Sequence, residues 1–166
     1  KLNIKTIEGG TSYPPVDIVA VIDISGSMDS PALVEQDGKS VDIGYTILDI
    51  TKHALLTIIE SMNPDDKISI ITFSNDAEVL TPLVNITNTN KGYIKTLVSN
   101  LRTKGATNMW AGLNLALQQI SEDNNSNYIV YAGRISKEKG IQELIESFLK
   151  SDLKEIKLKI VGDGPD

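Results

Sequence analysis

The sequence predicts an α/β fold: a doubly wound, mostly parallel sheet with one antiparallel edge strand and helices on both faces, three layers in all. Three observations carry this reading. Ile18-Val19-Ala20-Val21-Ile22 and Ile68-Ser69-Ile70-Ile71-Thr72-Phe73 are β-branched, apolar runs without alternation, the pattern of strands buried on both faces. Stretches with apolar residues at helical spacing separate and follow them. Polar residues gather directly after the first run, at the carboxyl edge where open α/β sheets bind ligands.

The elements follow in order. Leu2, Ile4 and Ile7 alternate ahead of Gly9-Gly10 and suggest a short edge strand or a lead-in. Tyr13-Pro14-Pro15 sets an extended entry into the first buried strand. Met28–Gly44 contains Pro31, Asp37-Gly38 and Gly44, turn signals that predict a surface loop near the carboxyl edge. From Tyr45 to Met62, Ile47, Leu48, Leu55, Ile58, Ile59 and Met62 recur at helical spacing, and Pro64 stops the run. The second buried strand comes next, and residues 77–83 are expected to pair with it antiparallel after the Ser74-Asn75-Asp76 turn. Asn85–Asn90 reads as loop, Tyr93–Leu101 as helix and Met109–Ile120 as another. Ser121–Asn127 is wholly polar and predicts a linker; a strand at 128–132, a helix at about 138–150 and a strand at 156–161 complete the chain.

Composition narrows the function classes. The 166 residues suit one domain, with 1–127 and 128–166 as its two parts. A net charge of −6 gives no footprint for nucleic acid and no basic patch for lipid. That charge lies wholly in residues 1–127; residues 128–166 are balanced. Cysteine is absent, which excludes disulfides and thiolate metal sites and is compatible with a cytoplasmic compartment. No apolar run approaches the ~20 residues of a membrane span, so membrane insertion is not expected, and neither is oligomer formation. The chain begins at Lys1, so a targeting segment upstream stays open.

Asp23-Ile24-Ser25-Gly26-Ser27 ends the first strand. A carboxylate at i with hydroxyls at i+2 and i+4 around a Gly can aim three oxygens at one point, the ligand set a hard divalent cation takes. The plainer reading is a solvated turn whose Asp or Ser caps the next helix. This stretch resembles the metal-ion-dependent adhesion site of von Willebrand factor A-type domains, whose signature is D-x-S-x-S after a hydrophobic first strand. Residues 64–74 resemble that family's second strand and Gly105-Ala106-Thr107-Asn108 its threonine loop, so the likeness spans roughly residues 12–121. It implies a Rossmann-like fold and a metal site built from Asp23, Ser25, Ser27 and Thr107, holding Mg²⁺ or Mn²⁺. It also implies a partner protein that places an acidic residue on the metal. Thr107 alone reads equally as a helix cap with Asn108. His53, the only histidine, has no partner at ligand spacing and reads as an ordinary surface or core-edge residue.

In that family the next strand ends in a Thr-Asp-Gly-like turn whose Asp faces the metal. Here Tyr128-Ile129-Val130-Tyr131 runs into Ala132-Gly133-Arg134, so the carboxylate is missing and weakened metal affinity is expected. Residues 128–166 instead resemble the opening of the carboxyl-terminal, donor-binding domain of two-Rossmann-type retaining glycosyltransferases, through Tyr131–Gly140 and Leu158–Pro165. That likeness assigns Arg134 and Lys139 to the diphosphate of a nucleotide sugar, chemistry that suits a guanidinium and an ammonium near a helix start. The family's glutamate pair for the donor sugar has no counterpart in these residues, so transferase activity is not expected. Three functions follow: a binding module with an incomplete metal site, a nucleotide-sugar or phosphate binder, or a chimera that folds without a selected function.

Overall fold

The structure is a computed structural model and describes residues 14–121, 128–133, 135, 139–150 and 157–162. Five strands form one sheet in the order β5-β4-β1-β6-β7: β1 is Asp17–Asp23, β4 Lys67–Phe73, β5 Ala77–Asn85, β6 Tyr128–Ala132 and β7 Lys157–Val161. All neighbours run parallel except β5, which pairs antiparallel with β4 at the edge. Strand β1 lies at the centre with partners on both sides, Ile22 matching Thr72 of β4 and Ala132 of β6. The strands of 128–166 therefore extend the sheet begun by β1.

Alternation along β1 divides the core into two layers. Ala20 and Ile22 face α1 (Ile47–Ser61) and α2 (Lys91–Ser99), packing with Leu55, Ile59, Ile94 and Val98. Val19 and Val21 face α3 (Met109–Ser121) and α4 (Ile141–Lys150), packing with Phe73, Leu113, Tyr131 and Leu144. Helices thus cover both faces, as the uniformly apolar strands require. Gly112 lets α3 approach the sheet: a Cβ there would stand 2.8 Å from Phe73 and 3.1 Å from Val21.

One expectation is corrected. Residues 31–46 form a hairpin, not a loop: β2 (Pro31–Gln36) pairs antiparallel with β3 (Lys39–Thr46). Asp37 and Gly38 both take positive φ, 52° and 72°, the requirement of a two-residue type I′ turn that Asp-Gly meets readily. Smaller shifts have local causes. Helix α1 starts at Ile47 because Thr46 caps it, and β5 runs on to Asn85 through Pro82, which an edge strand accommodates. The expected strand in residues 1–10, the linker at 122–127 and Arg134 lie outside the described residues.

Candidate functional site

The site lies where the chain reverses direction across the sheet, at the carboxyl ends of β1 and β6. Asp23 is the last residue of β1 and is 0% exposed. Its Oδ1 accepts the Ser25 backbone N–H at 2.8 Å, folding the chain back so that the serine hydroxyl turns toward the carboxylate. A single 3₁₀ turn, Gly26–Asp29, follows, and Ser27 Oγ lies 3.2 Å from Ser25 Oγ.

Thr107 arrives from the loop before α3, and backbone bonds tie that loop to the strand ends. Lys104 N–H donates to Ile24 O at 2.7 Å, Gly26 N–H to Gly105 O at 3.0 Å and Asn108 N–H to Ser74 O at 2.6 Å. Asn75 completes the clamp by accepting the Ala106 N–H on its side-chain oxygen. Asn108 Oδ1 accepts the Ala111 N–H at 3.2 Å, so Asn108 caps α3 and the Thr107 hydroxyl is left to the site.

The group at the centre is Lys139. Its Nζ donates to Ser25 Oγ at 2.7 Å and Thr107 Oγ1 at 2.6 Å and stands 2.9 Å from Asp23 Oδ2. The last contact is an ion pair off the axis of a hydrogen bond, and Oδ2 accepts no hydrogen bond among the described residues. Lys139 itself is buried, 5% exposed, beside a cleft of about 340 Å³ lined by Thr107, Trp110, Lys139 and Glu143. Asp23, Ser25 and Thr107 are thus brought onto one point and Ser27 to its margin. Sequence reasoning assigned Lys139 to a diphosphate; the fold directs its ammonium among these oxygens.

Neither residue at the place of the missing carboxylate adds a ligand. Ala132 packs against the α1–α2 layer. Gly133 is closely enclosed, since a Cβ there would lie 2.6 Å from the Tyr131 hydroxyl and 2.8 Å from Asp23 Cβ. Burial, reinforced by the Asp23 charge, pushes the Tyr131 phenol far above its ordinary range and keeps it neutral beside the carboxylate.

The carboxylate and hydroxyls suit a hard cation in kind. They do not fit a divalent ion as they stand, because the ammonium occupies the point on which they converge. Among the described residues no group of three or more His, Cys, Asp or Glu side chains offers another metal site, and no helix is long and apolar enough to cross a membrane. One residue of the site escaped the sequence reading and one was read in another role. Asn75 looked like an ordinary turn residue, and Lys139 reaches Ser25 across 114 positions.

Comparison with known proteins agrees with this architecture. The von Willebrand factor type A domain model matches residues 18–132, and the glycosyl transferases group 1 model matches residues 115–166. The chain is 31% identical over 121 residues to human inter-alpha-trypsin inhibitor heavy chain H3, covering 72% of this chain and 12% of that protein. It is 28% identical over 109 residues to the uncharacterized protein YfbK of Escherichia coli (strain K12), covering 66% of this chain and 16% of that protein. The chain therefore spans a small part of either relative's length. A solved von Willebrand factor type A structure from Catenulispora acidiphila superposes with a TM-score of 0.65 at 16% identity, covering 90% of this chain and 34% of that one. The first family model accounts for most of the chain, including β1, the Asp23–Ser27 turn and the Thr107 loop, and the chain belongs to the von Willebrand factor type A domain family.

Proposed function

We propose that this chain is a protein-binding module of the adhesion type with an incomplete metal site and no catalytic role. The observation that carries the reading is the convergence of Asp23, Ser25 and Thr107 on one point from two separate loops. An array of hydroxyls around one carboxylate is the donor set of a cation site. It is suited to holding a positive charge at the sheet edge, and an acidic side chain of a partner protein is the ligand class such an edge attracts. The β2–β3 hairpin follows the Asp23–Ser27 turn and exposes Leu33, Val34 and Tyr45, which would supply apolar contact surface beside the polar centre.

The domain reading belongs to the same proposal. Residues 1–166 form one α/β domain in which 1–127 is the von Willebrand A-type part and 128–166 a transferase-like strand-helix-strand graft, a chimera. The transferase match in residues 115–166 supports that origin. A nucleotide-sugar function is less well supported, because the Lys139 ammonium it would use points into the Asp23 cage. UDP is accordingly expected to leave the thermal midpoint unchanged.

Interferometry on an immobilised Asp-containing peptide, in Mn²⁺ and in EDTA, tests the proposal. Weak binding that disappears in EDTA and on Ser25→Ala is expected. Binding equal in Mn²⁺, in EDTA and in the variant would place the interaction elsewhere and sink the reading.

A further inference from the structure

We propose that the Lys139 ammonium is the resident cation of the Asp23–Thr107 site, a tethered monovalent charge standing where a divalent ion would bind and excluding it. The inference rests on the reading that these oxygens form a cation site.

Geometry is the first support. An ammonium has three N–H donors and no acceptor, and Lys139 Nζ faces three oxygens, at 2.6, 2.7 and 2.9 Å. Mg²⁺ holds its ligands at about 2.0–2.1 Å, so the cage is open by roughly half an ångström or more beyond what that ion takes, and it matches ammonium distances. Charge is the second support. Asp23 is the one carboxylate in the cage, and a single positive charge balances it; a divalent ion would leave an excess in a site that is buried on the Asp23 side. Burial is the third. Lys139 is 5% exposed and Asp23 0%, and a lysine is withdrawn from water to this degree only when its charge is paired.

The local chain is built for this placement. Gly133 turns out of β6 where any side chain would strike Tyr131 and Asp23, and Gly140, with φ 67°, lets the backbone turn directly from Lys139 into α4. With two N–H groups bonded to hydroxyls and the Asp23 carboxylate 2.9 Å away on its third side, the ammonium is enclosed by the oxygens a metal ion would need. The site is therefore closed in the resting chain. It opens to metal, and through metal to an acidic ligand, only in the fraction of molecules whose Lys139 has withdrawn.

Two measurements should then report the same fraction. Acylation of Lys139 by a soluble acetylating reagent, followed by mass spectrometry, should be slower than that of Lys150, whose side chain is 80% exposed, by the factor that Lys139 spends outside the cage. Mn²⁺ binding by calorimetry should be weaker in the natural chain than in Lys139→Met by that same factor, about 100-fold if the lysine is out for ~1% of the time. Lys139 acetylated as fast as Lys150, or Mn²⁺ bound equally by the natural chain and Lys139→Met, would overturn the inference. A protected Lys139 together with a Lys139→Met variant that binds no Mn²⁺ would uphold the resident ammonium and overturn the metal-exclusion half, along with the metal-site reading of the oxygens. The acylation arm uses the natural chain, so the test stands even where the variant does not fold.

Discussion

Gly133 shows how little freedom single residues have at this edge. Its missing side chain is the reason Tyr131 can stack toward Phe73, ring centroids 6.2 Å apart, while its hydroxyl end lies next to Asp23. A methyl group there must displace a phenol or the carbon backbone of the buried carboxylate. Gly133→Ala is accordingly expected to cost about 1–3 kcal/mol, the usual range for overpacking, read as a lower urea midpoint at unchanged slope. An unchanged midpoint would mean that β6 shifts freely, and with it the Lys139 position. Asp23, Ser25 and Ser27 lie within five residues and could be read as one cluster of oxygens, whereas Thr107 entered only through the resemblance of its loop to the family's threonine loop. Lys139 was visible only as part of a different motif. Its partner is far away in sequence, and nothing but the pairing of β6 with β1 brings the two together.

Helix α1 carries the clearest element-scale test. Thr46 Oγ1 accepts the Asp49 N–H at 3.1 Å, and Asp49 Oδ2 accepts the Thr46 N–H at 3.1 Å, a reciprocal capping box at the junction of the hairpin and the helix. The bonds donated to the Asp49 carboxylate, from the Thr46 backbone N–H first and then from the Thr46 hydroxyl at 2.9 Å, hold that carboxyl below its ordinary 3.8. A carboxyl depressed in the folded state stabilises fully above its unfolded value, and that contribution fades as pH falls through the lower folded one. Thr46→Ala should cost about 1 kcal/mol near neutral pH. It should also shrink the loss of melting temperature on acidification from about pH 7 to about pH 3, since the variant has less of this contribution to lose. An equal acid loss in both chains would show that the box does not tune Asp49. The hairpin ahead of it was harder to read than the core strands. Buried strands declare themselves by unbroken apolar runs, whereas β2 and β3 expose Leu33, Val34, Val41 and Ile43 and pack against little; only Asp37-Gly38 marked the turn. Helices α2 and α3 were legible to within a few residues because each buries one stripe.

At the scale of the whole molecule, the question is whether residues 128–166 fold with the rest or beside it. Doubly wound topology was legible because both families that the sequence resembles share it. The sequence placed strands at 128–132 and 156–161 in the same domain without naming their partners. In the structure, β6 aligns five of its residues with Ile18–Ile22 and places Ile129 and Tyr131 in the layer formed by Val19, Val21, Phe73 and α3. Without that strand, β1 becomes an edge, and Val19 and Val21 lose the cover of Ile129 and Tyr131. The later segment alone is too short for an independent core. Both parts should therefore unfold in one transition. Trp110, the only tryptophan, lies on α3 in the cleft it shares with Lys139 and Glu143, so its fluorescence reports the junction of the two parts, while far-UV circular dichroism reports all helices and strands. The two urea curves should coincide, and Ile129→Ala should move both together by about 2–5 kcal/mol, the cost of emptying a buried isoleucine site. If Ile129→Ala instead moved only part of the dichroism curve and left the Trp110 curve in place, the later segment would be a separately melting appendage. Lys139 would then be held too loosely to serve as the site's cation, so the cooperativity of the fold and the occupancy of the site stand or fall together.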